Sequence, residues 1–209
     1  INDSFLPKEK QNFYSLSMLP VMYFFLPGIP MLYQGQEIGM TGFWREHIED
    51  YVDLATHNNY QGYLEQGMTK EQALEKINYT SRENARTPMQ WNDGPNAGFS
   101  DGMPWFAVNP DYQKVNVEKE QQDNGSLLKF YQKLIALRKH CVYQKNWVYG
   151  SFTALEEDSD QLWCYMRCRD GQRLQVFVNM SDEWVTTKGC YDGKVLINNY
   201  AALSQKAGC

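Results

Sequence analysis

The segment from Ser81 to Trp91 combines two guanidinium groups, two amides and an indole in one short stretch. A guanidinium presents five N–H donors in a fixed fork, and an indole presents an apolar face with a single N–H donor. Because Pro88 interrupts the segment, a continuous helix or strand is excluded and a loop is predicted. Sugars present hydroxyl groups together with apolar ring faces, so this loop is suited to carbohydrate binding.

Three segments resemble the oligo-1,6-glucosidase and α-glucosidase branch of glycoside hydrolase family 13: Leu26–Met40, Ser81–Trp91 and Pro104–Pro110. The similarity extends from about Met18 to Arg138 and is weaker beyond. It implies an α/β region followed by an all-β region, namely the C-terminal part of a (β/α)8 TIM barrel and an antiparallel β-sandwich domain. On this basis residues 1–140 are predicted to belong to the catalytic barrel and residues 141–209 to a truncated sandwich.

The resemblance also implies where the catalytic carboxylates lie. Family members have a nucleophilic Asp, an acid/base Glu and a stabilising Asp at the ends of earlier barrel strands, the last in an Asn-His-Asp segment. No Asn-His-Asp occurs in the 209 residues. A retaining glycosidase needs two carboxyl groups about 5–5.5 Å apart, and the resemblance implies that both lie in segments other than these 209 residues. No catalytic residue is therefore assigned in this chain. The remainder of the catalytic barrel is therefore the expected partner of this chain.

Three residues are candidates for binding a small gluco-oligosaccharide. The resemblance implies that Arg86 reaches the glucose at the non-reducing end, the alternative being an ion pair that braces the loop, for example with Glu83. Trp44 could stack on a sugar ring, with core packing as the alternative. Glu37 follows Gln36 where relatives often have two Glu, and it either lines the site or braces the barrel rim.

Two further positions qualify this prediction. Arg82 has the chemistry of Arg86 without a counterpart implied by the resemblance, so a structural role is predicted for it. Ala55 stands where many relatives have a Glu or another polar group that contacts the second sugar. A small apolar residue there gives no indication of the preferred linkage.

Composition excludes several classes of partner. The net charge is −5 with a pI of about 5.3 and no basic stripe, which argues against nucleic acid. The longest apolar run, Met18–Pro27, is too short to span a membrane. Five cysteines without a dense spacing pattern favour free thiols in a reducing cytoplasm. Since no histidine lies near Cys164 or Cys168 in sequence, no zinc site is predicted. No other metal and no cofactor is predicted either.

The elements that must position these residues are predicted from periodicity. Apolar residues at helical spacing predict helices from Lys8 to Leu26, with a kink or break at Pro20, and from Ser126 to His140. The apolar run Met31–Tyr33 predicts a buried parallel strand whose end delivers Gln34–Glu37 to the ligand face of the barrel. Within a long insertion, the capping-box pattern Thr69–Gln72 predicts a helix through about Ile77.

Beyond a boundary near residues 140–143 the pattern becomes β-type. The predicted strands are Trp147–Ala154, Leu162–Arg169, Arg173–Met180, Glu183–Lys188 and Lys194–Tyr200. Asp170 and Gly171 form a hairpin-turn signal between the second and third.

The function predicted from these residues and from the resemblance is that of a fragment of a retaining, exo-acting α-glucosidase of the oligo-1,6-glucosidase type. Within the family, the alternatives are sucrose or trehalose isomerases, trehalose-6-phosphate hydrolases and α-amylase-like relatives. An alternative of another class is the non-catalytic ectodomain of an amino-acid transporter heavy subunit. The sequons and the odd number of cysteines favour that class, whereas the segment Arg86–Trp91 argues against it.

Overall fold

The computed structural model describes residues 6, 8–140, 142–189 and 191–200, and these fall into two compact units. The first unit contains the described residues up to 11 together with residues 33–128, and the second contains residues 12–32 and those from 129 onward. The α-helices of the described residues are α1 (Phe13–Phe24), α2 (Leu54–Glu65), α3 (Lys70–Thr80), α4 (Val117–Gln122), α5 (Leu127–Lys139) and α6 (Gln144–Tyr149). The strands are β1 (Ser151–Leu155), β2 (Leu162–Arg169) and β3 (Gln172–Asn179). Short 3₁₀ helices lie at Lys8–Lys10, Gln36–Ile38, Ile48–Asp50, Arg82–Ala85, Pro95–Gly98 and Pro110–Gln113.

Helix α3 confirms the capping-box prediction. The Thr69 hydroxyl accepts a hydrogen bond from the backbone N–H of Gln72 at 3.2 Å, and the Gln72 side chain accepts one from the N–H of Thr69 at 3.0 Å. Two donors at the helix start are thereby satisfied reciprocally. The helix ends at Thr80 rather than near Ile77.

The core of the first unit is built where α2 and α3 pack together. Ala73 and Ile77 of α3 are fully buried, and they cluster with Tyr51 and with Tyr60 of α2. The rings supply most of the buried apolar area, since one aromatic side chain buries about 150–250 Å². This core holds α2 against α3.

The predicted barrel strand at Met31–Tyr33 is wrong for the described residues. No strand forms there, and Met31 is 82% exposed. A parallel strand requires hydrogen-bonded neighbours, and every described strand pairs only within the three-stranded sheet. The segment instead leads into a turn in which the N–H of Gln36 donates to the carbonyl of Tyr33 at 3.0 Å.

In the second unit, α1 begins at Phe13, because the Asn12 side chain accepts the backbone N–H groups of Tyr14 and Ser15. The helix continues through Pro20 without a break. The guanidinium of Arg167 on β2 is 1% exposed and donates from Nη1 to the carbonyl of Phe25 at 2.9 Å. It thereby satisfies the carbonyl group of Phe25, just past the end of α1.

The sheet is antiparallel in the order β1-β2-β3. Asp170 (φ 50°) and Gly171 (φ 79°) both adopt the left-handed conformation that a two-residue hairpin turn requires, which confirms the predicted turn. Along β3, Leu174, Val176 and Val178 are buried at every second position. Helix α5, at Leu127–Lys139, confirms the other long helix.

Three of the strand predictions are wrong in whole or in part. Residues 147–149 lie in α6, so the first strand starts only at Ser151. The run 183–188 forms no strand, and at its end Glu156 accepts the backbone N–H groups of Lys188 and Gly189, each at 2.9 Å. The run 194–200 forms none either, and there the Asn198 side chain accepts the N–H of Tyr200 at 2.9 Å. In both runs side-chain acceptors take backbone donors that a strand would have used.

Among the helices of the described residues, none is both long enough and apolar enough to cross a membrane.

Candidate functional site

The loop that carries Arg86 is held by local hydrogen bonds. After α3 the chain forms the 3₁₀ helix Arg82–Ala85, and the Ser81 hydroxyl accepts the N–H of Glu83 at 3.2 Å. The N–H of Arg86 then donates to the carbonyl of Glu83 at 2.9 Å. The backbone at Arg86 is thereby fixed, while its side chain remains 42% exposed.

Asp53 is the anion that the two guanidinium groups share. Its Oδ2 lies 3.2 Å from Nη1 of Arg86, and its Oδ1 accepts from Nη2 of Arg82 at 2.8 Å. A second hydrogen bond joins Nε of Arg82 to Oδ2. The side chain of Asp53 is only 7% exposed. The hydrogen bonds from Arg82, assisted by the N–H of Ala55, hold the pKa of the Asp53 carboxyl well below its usual range, so it is ionised at neutral pH.

Glu83, the ion-pair partner that the sequence suggested for Arg86, has a different role. It is fully buried, and its Oε1 accepts the backbone N–H groups of Val52 at 2.8 Å and Asp53 at 2.6 Å. Its Oε2 lies 3.4 Å from Nη2 of Arg45, a charge contact without hydrogen-bond geometry. Glu83 therefore anchors the turn that presents Asp53.

Arg45 completes this buried pair. Its side chain is 3% exposed, and its guanidinium lies 4.4 Å from the centre of the Tyr51 ring. The Asn78 amide accepts the N–H of Arg45 at 2.7 Å and donates back to its carbonyl at 3.1 Å. Side chains rather than a sheet thus join the segment that contains Arg45 to α3 and to the loop after it.

A cavity of about 240 Å³ opens in the first unit beside this loop. Its lining combines aromatic rings with amide groups, among them Tyr33, Trp44, Tyr79, Gln34, Gln36 and Asn84. The rings of Trp44 and Tyr79 pack edge to face, 4.7 Å apart, and Trp44 is 38% exposed. Oδ1 of Asn84 is buried without a hydrogen-bond partner in the described part of the chain. Rings and amides without a full charge in the wall suit a neutral, hydroxylated ligand.

The structure brings the three predicted binding residues to one region without placing all of them in the cavity wall. Trp44 lines the cavity, Arg86 directly follows the lining residue Ala85, and Glu37 directly follows the lining residue Gln36. Their contact with a sugar remains a prediction.

Sequence reasoning missed Asp53 and Tyr79. An Asp directly before a helical segment is an N-cap signal, and it marks Asp53 as a fixed carboxylate once Arg82 and Arg86 are known to lie beside it. For Tyr79 the sequence contains no such signal.

No cluster of three or more His, Cys, Asp or Glu side chains that could hold a metal ion occurs within the described ranges. Cys164 and Cys168 are free thiols. The predicted free thiols at Cys141, Cys190 and Cys209 lie outside the described residues.

Comparison with known proteins gives consistent results at two levels. Residues 3–146 match the sequence family described as "Alpha amylase, catalytic domain". The chain is 42% identical over 192 residues to the probable oligo-1,6-glucosidase 2 of Bacillus subtilis, an alignment that covers 89% of this chain and 34% of the relative. The chain thus spans about a third of the length of the curated relative.

Two solved structures are similar in fold as well as in sequence. A trehalose-6-phosphate hydrolase from Bacillus licheniformis matches 99% of this chain and 38% of its own, with 31% identity and a TM-score of 0.88. The trehalulose synthase MutB from Pseudomonas mesoacidophila matches 81% of this chain and 30% of its own, with 35% identity and a TM-score of 0.74.

Proposed function

This chain belongs to the alpha-amylase family, glycoside hydrolase family 13, and on that premise we propose that its parent protein is a retaining, exo-acting α-glucosidase of the oligo-1,6-glucosidase type. The substrates are small gluco-oligosaccharides, and the reaction is a double displacement through a covalent glucosyl-enzyme. The remainder of the catalytic barrel supplies both carboxylates. The parent protein is cytoplasmic, and the three-stranded sheet of the second unit is part of a β-sandwich domain.

The contribution of this chain is binding surface. Arg86 donates to the hydroxyl groups of the terminal glucose, Trp44 stacks on a sugar ring, and Glu37 accepts from a hydroxyl group. A guanidinium is suited to this task because its planar fork reaches two adjacent oxygens at once. Aromatic rings complement the apolar face of the same sugar.

The proposal is supported chiefly by the partial exposure of Arg86 and by the single ion pair that it forms within the described part of the chain. Its one ion pair within the described ranges engages Nη1, while the side chain stays 42% exposed beside a cavity walled by rings and amides. The guanidinium is therefore anchored at one nitrogen, with further N–H groups for a ligand. A purely structural arginine is expected to use its fork as Arg82 does, with two nitrogens on one carboxylate.

A second candidate is hydrolysis of trehalose 6-phosphate, which the fold match over nearly the whole chain favours. A phosphorylated sugar requires a cation beside its phosphate group, and the cavity wall formed by the described residues contains none.

The test is a substrate comparison with the complete parent protein. Isomaltose, trehalose 6-phosphate and sucrose are offered separately, and the products are followed by NMR, which also reports the anomer released. We expect isomaltose to be cleaved best, with release of α-glucose. Preference for trehalose 6-phosphate would select the second candidate, and conversion of sucrose to an isomer would indicate an isomerase. Failure to act on any of them would contradict both proposals and favour the non-catalytic class.

A further inference from the structure

Asp53 lies at the junction of α2 and the arginine-bearing loop, and nothing in the proposed reaction assigns it a role. We propose that Asp53 is a positioning residue, which holds the guanidinium of Arg86 in the orientation that binds the terminal glucose. The inference rests on the proposed function, because Asp53 acts through Arg86 and does not itself contact the sugar.

Asp53 and Arg86 differ in conformational freedom. Arg86 is 42% exposed, so without a partner its long side chain would sample many rotamers. The Asp53 carboxylate is 7% exposed, and its Oδ2 lies 3.2 Å from Nη1 of Arg86. A fixed anion beside a flexible cationic side chain favours the rotamers in which the two form a charge-assisted hydrogen bond.

Asp53 is itself fixed at three points. Its Oδ1 caps α2 by accepting the N–H of Ala55 at 3.0 Å. Its own N–H donates to Oε1 of the buried Glu83 at 2.6 Å. Arg82 binds the carboxylate through two nitrogens. An oriented side chain at a binding site needs such a support if it is to be held in a productive geometry.

The two arginines bind the carboxylate of Asp53 through different numbers of nitrogens. Arg82 donates to Asp53 from Nε and Nη2, whereas Arg86 donates from Nη1 alone. With one carboxylate between two guanidinium groups, the trio retains a net positive charge. Arg82 therefore serves as the brace, and Arg86 keeps donors that can face a ligand.

The decisive variant is Asp53→Asn in the complete parent enzyme. Asparagine is as good a helix N-cap as aspartate, so α2 keeps its start while the charge that holds Arg86 is lost. We expect kcat/KM for isomaltose to fall about tenfold, in keeping with the loss of one charge-assisted contact. The melting temperature is measured beside kcat/KM, because Arg82 loses its carboxylate in the same variant. If Asp53→Asn folds poorly, Asp53→Ser provides a second cap-preserving variant that also lacks the carboxylate.

A double-mutant cycle separates positioning from a merely structural role. If Asp53 acts through Arg86, Asp53→Asn should cause no further loss of kcat/KM in an Arg86→Ala background. The matched control is Thr69→Ala, which removes the corresponding cap of α3 and should lower the melting temperature without lowering kcat/KM.

The possible outcomes distinguish the two proposals. If Arg86→Ala lowers kcat/KM while Asp53→Asn leaves it within about twofold of wild type, the positioning role is refuted and the binding role of Arg86 stands. Fully additive losses in the double variant would also refute it. If Arg86→Ala itself leaves kcat/KM unchanged, the binding role of Arg86 fails, and the positioning role fails with it.

Discussion

Replacing Glu83 by alanine is expected to destabilise the first unit by about 3–5 kcal/mol, the cost of breaking a buried ion pair by removing one partner. The side chain of Glu83 is fully buried, and its loss leaves the Arg45 guanidinium, 3% exposed, without its carboxylate. It also removes the acceptor for the N–H groups of Val52 and Asp53. The aromatic contact of Arg45 with Tyr51 is retained, so the loss should not exceed this range.

Two further variants partition this loss. Glu83→Gln keeps an oxygen for the two backbone N–H groups but brings an NH₂ group towards Arg45, so about half of the destabilisation should remain, roughly 2 kcal/mol. Adding Arg45→Met to Glu83→Gln removes the stranded charge and should recover part of the stability. Glu49→Gln changes an exposed carboxylate of the same unit and serves as the control, with an expected effect within about 0.5 kcal/mol.

The measurement is native-state hydrogen exchange at the amides of Ala73 and Ile77, both fully buried in the core of this unit. Exchange at these amides reports the free energy of opening locally, without assuming that the whole chain unfolds as one. A loss below about 1 kcal/mol for Glu83→Ala, with protection otherwise intact, would show that the buried pair does not hold the turn before α2.

The remaining predictions concern activity and pH. The 209-residue chain alone should hydrolyse no glucoside, since on the proposed function both carboxylates lie elsewhere; release of p-nitrophenol from its α-glucoside would contradict this. In the complete parent enzyme, Arg86→Lys should impair kcat/KM nearly as much as Arg86→Ala, by about ten- to a hundred-fold, because an ammonium cannot reproduce the fork. This penalty should shrink for a 4-deoxy analogue, and equal penalties together with a lowered melting temperature would indicate a bracing role instead. The N–H groups of Lys188 and Gly189 lower the pKa of Glu156, so its contribution to stability should be present above the pKa of an unfolded Glu and be lost as the pH falls through the lower folded value. Melting temperatures from pH 7 to pH 3 should therefore show a smaller acid-induced decrease for Glu156→Gln, and identical profiles would exclude this role.

Features determined by neighbouring residues could be predicted from the sequence. The capping box of α3 and the Asp170-Gly171 turn depend on a few adjacent side chains and on backbone conformation, and both are observed. The run 147–149 is short and apolar, a pattern that fits a strand as well as a buried helix, and it proved helical. The strand expected at Met31–Tyr33 depends on neighbouring strands, which no local pattern encodes.

The candidate site shows the same division between local and long-range information. Arg86 and Trp44 could be singled out by residue type and by resemblance. The carboxylate that Arg86 contacts lies 33 positions earlier in the sequence. The backbone of Asp53 is held there by a hydrogen bond to Glu83. Glu83 is fully buried, which the charge of its side chain does not predict. Sequence therefore indicated the candidate binding residues and missed the residues that hold them.

The bond between Arg167 and the carbonyl of Phe25 has a consequence for synthesis on the ribosome. The two residues are 142 positions apart, so at about 5–20 residues per second roughly 7–28 s pass between their incorporation. During this interval α1 has emerged without the strand that will cover its end. Its apolar side chains are exposed to chaperones or to other nascent chains. A faster translation rate across residues 26–166 should therefore raise the yield of soluble protein more than the same change after residue 179.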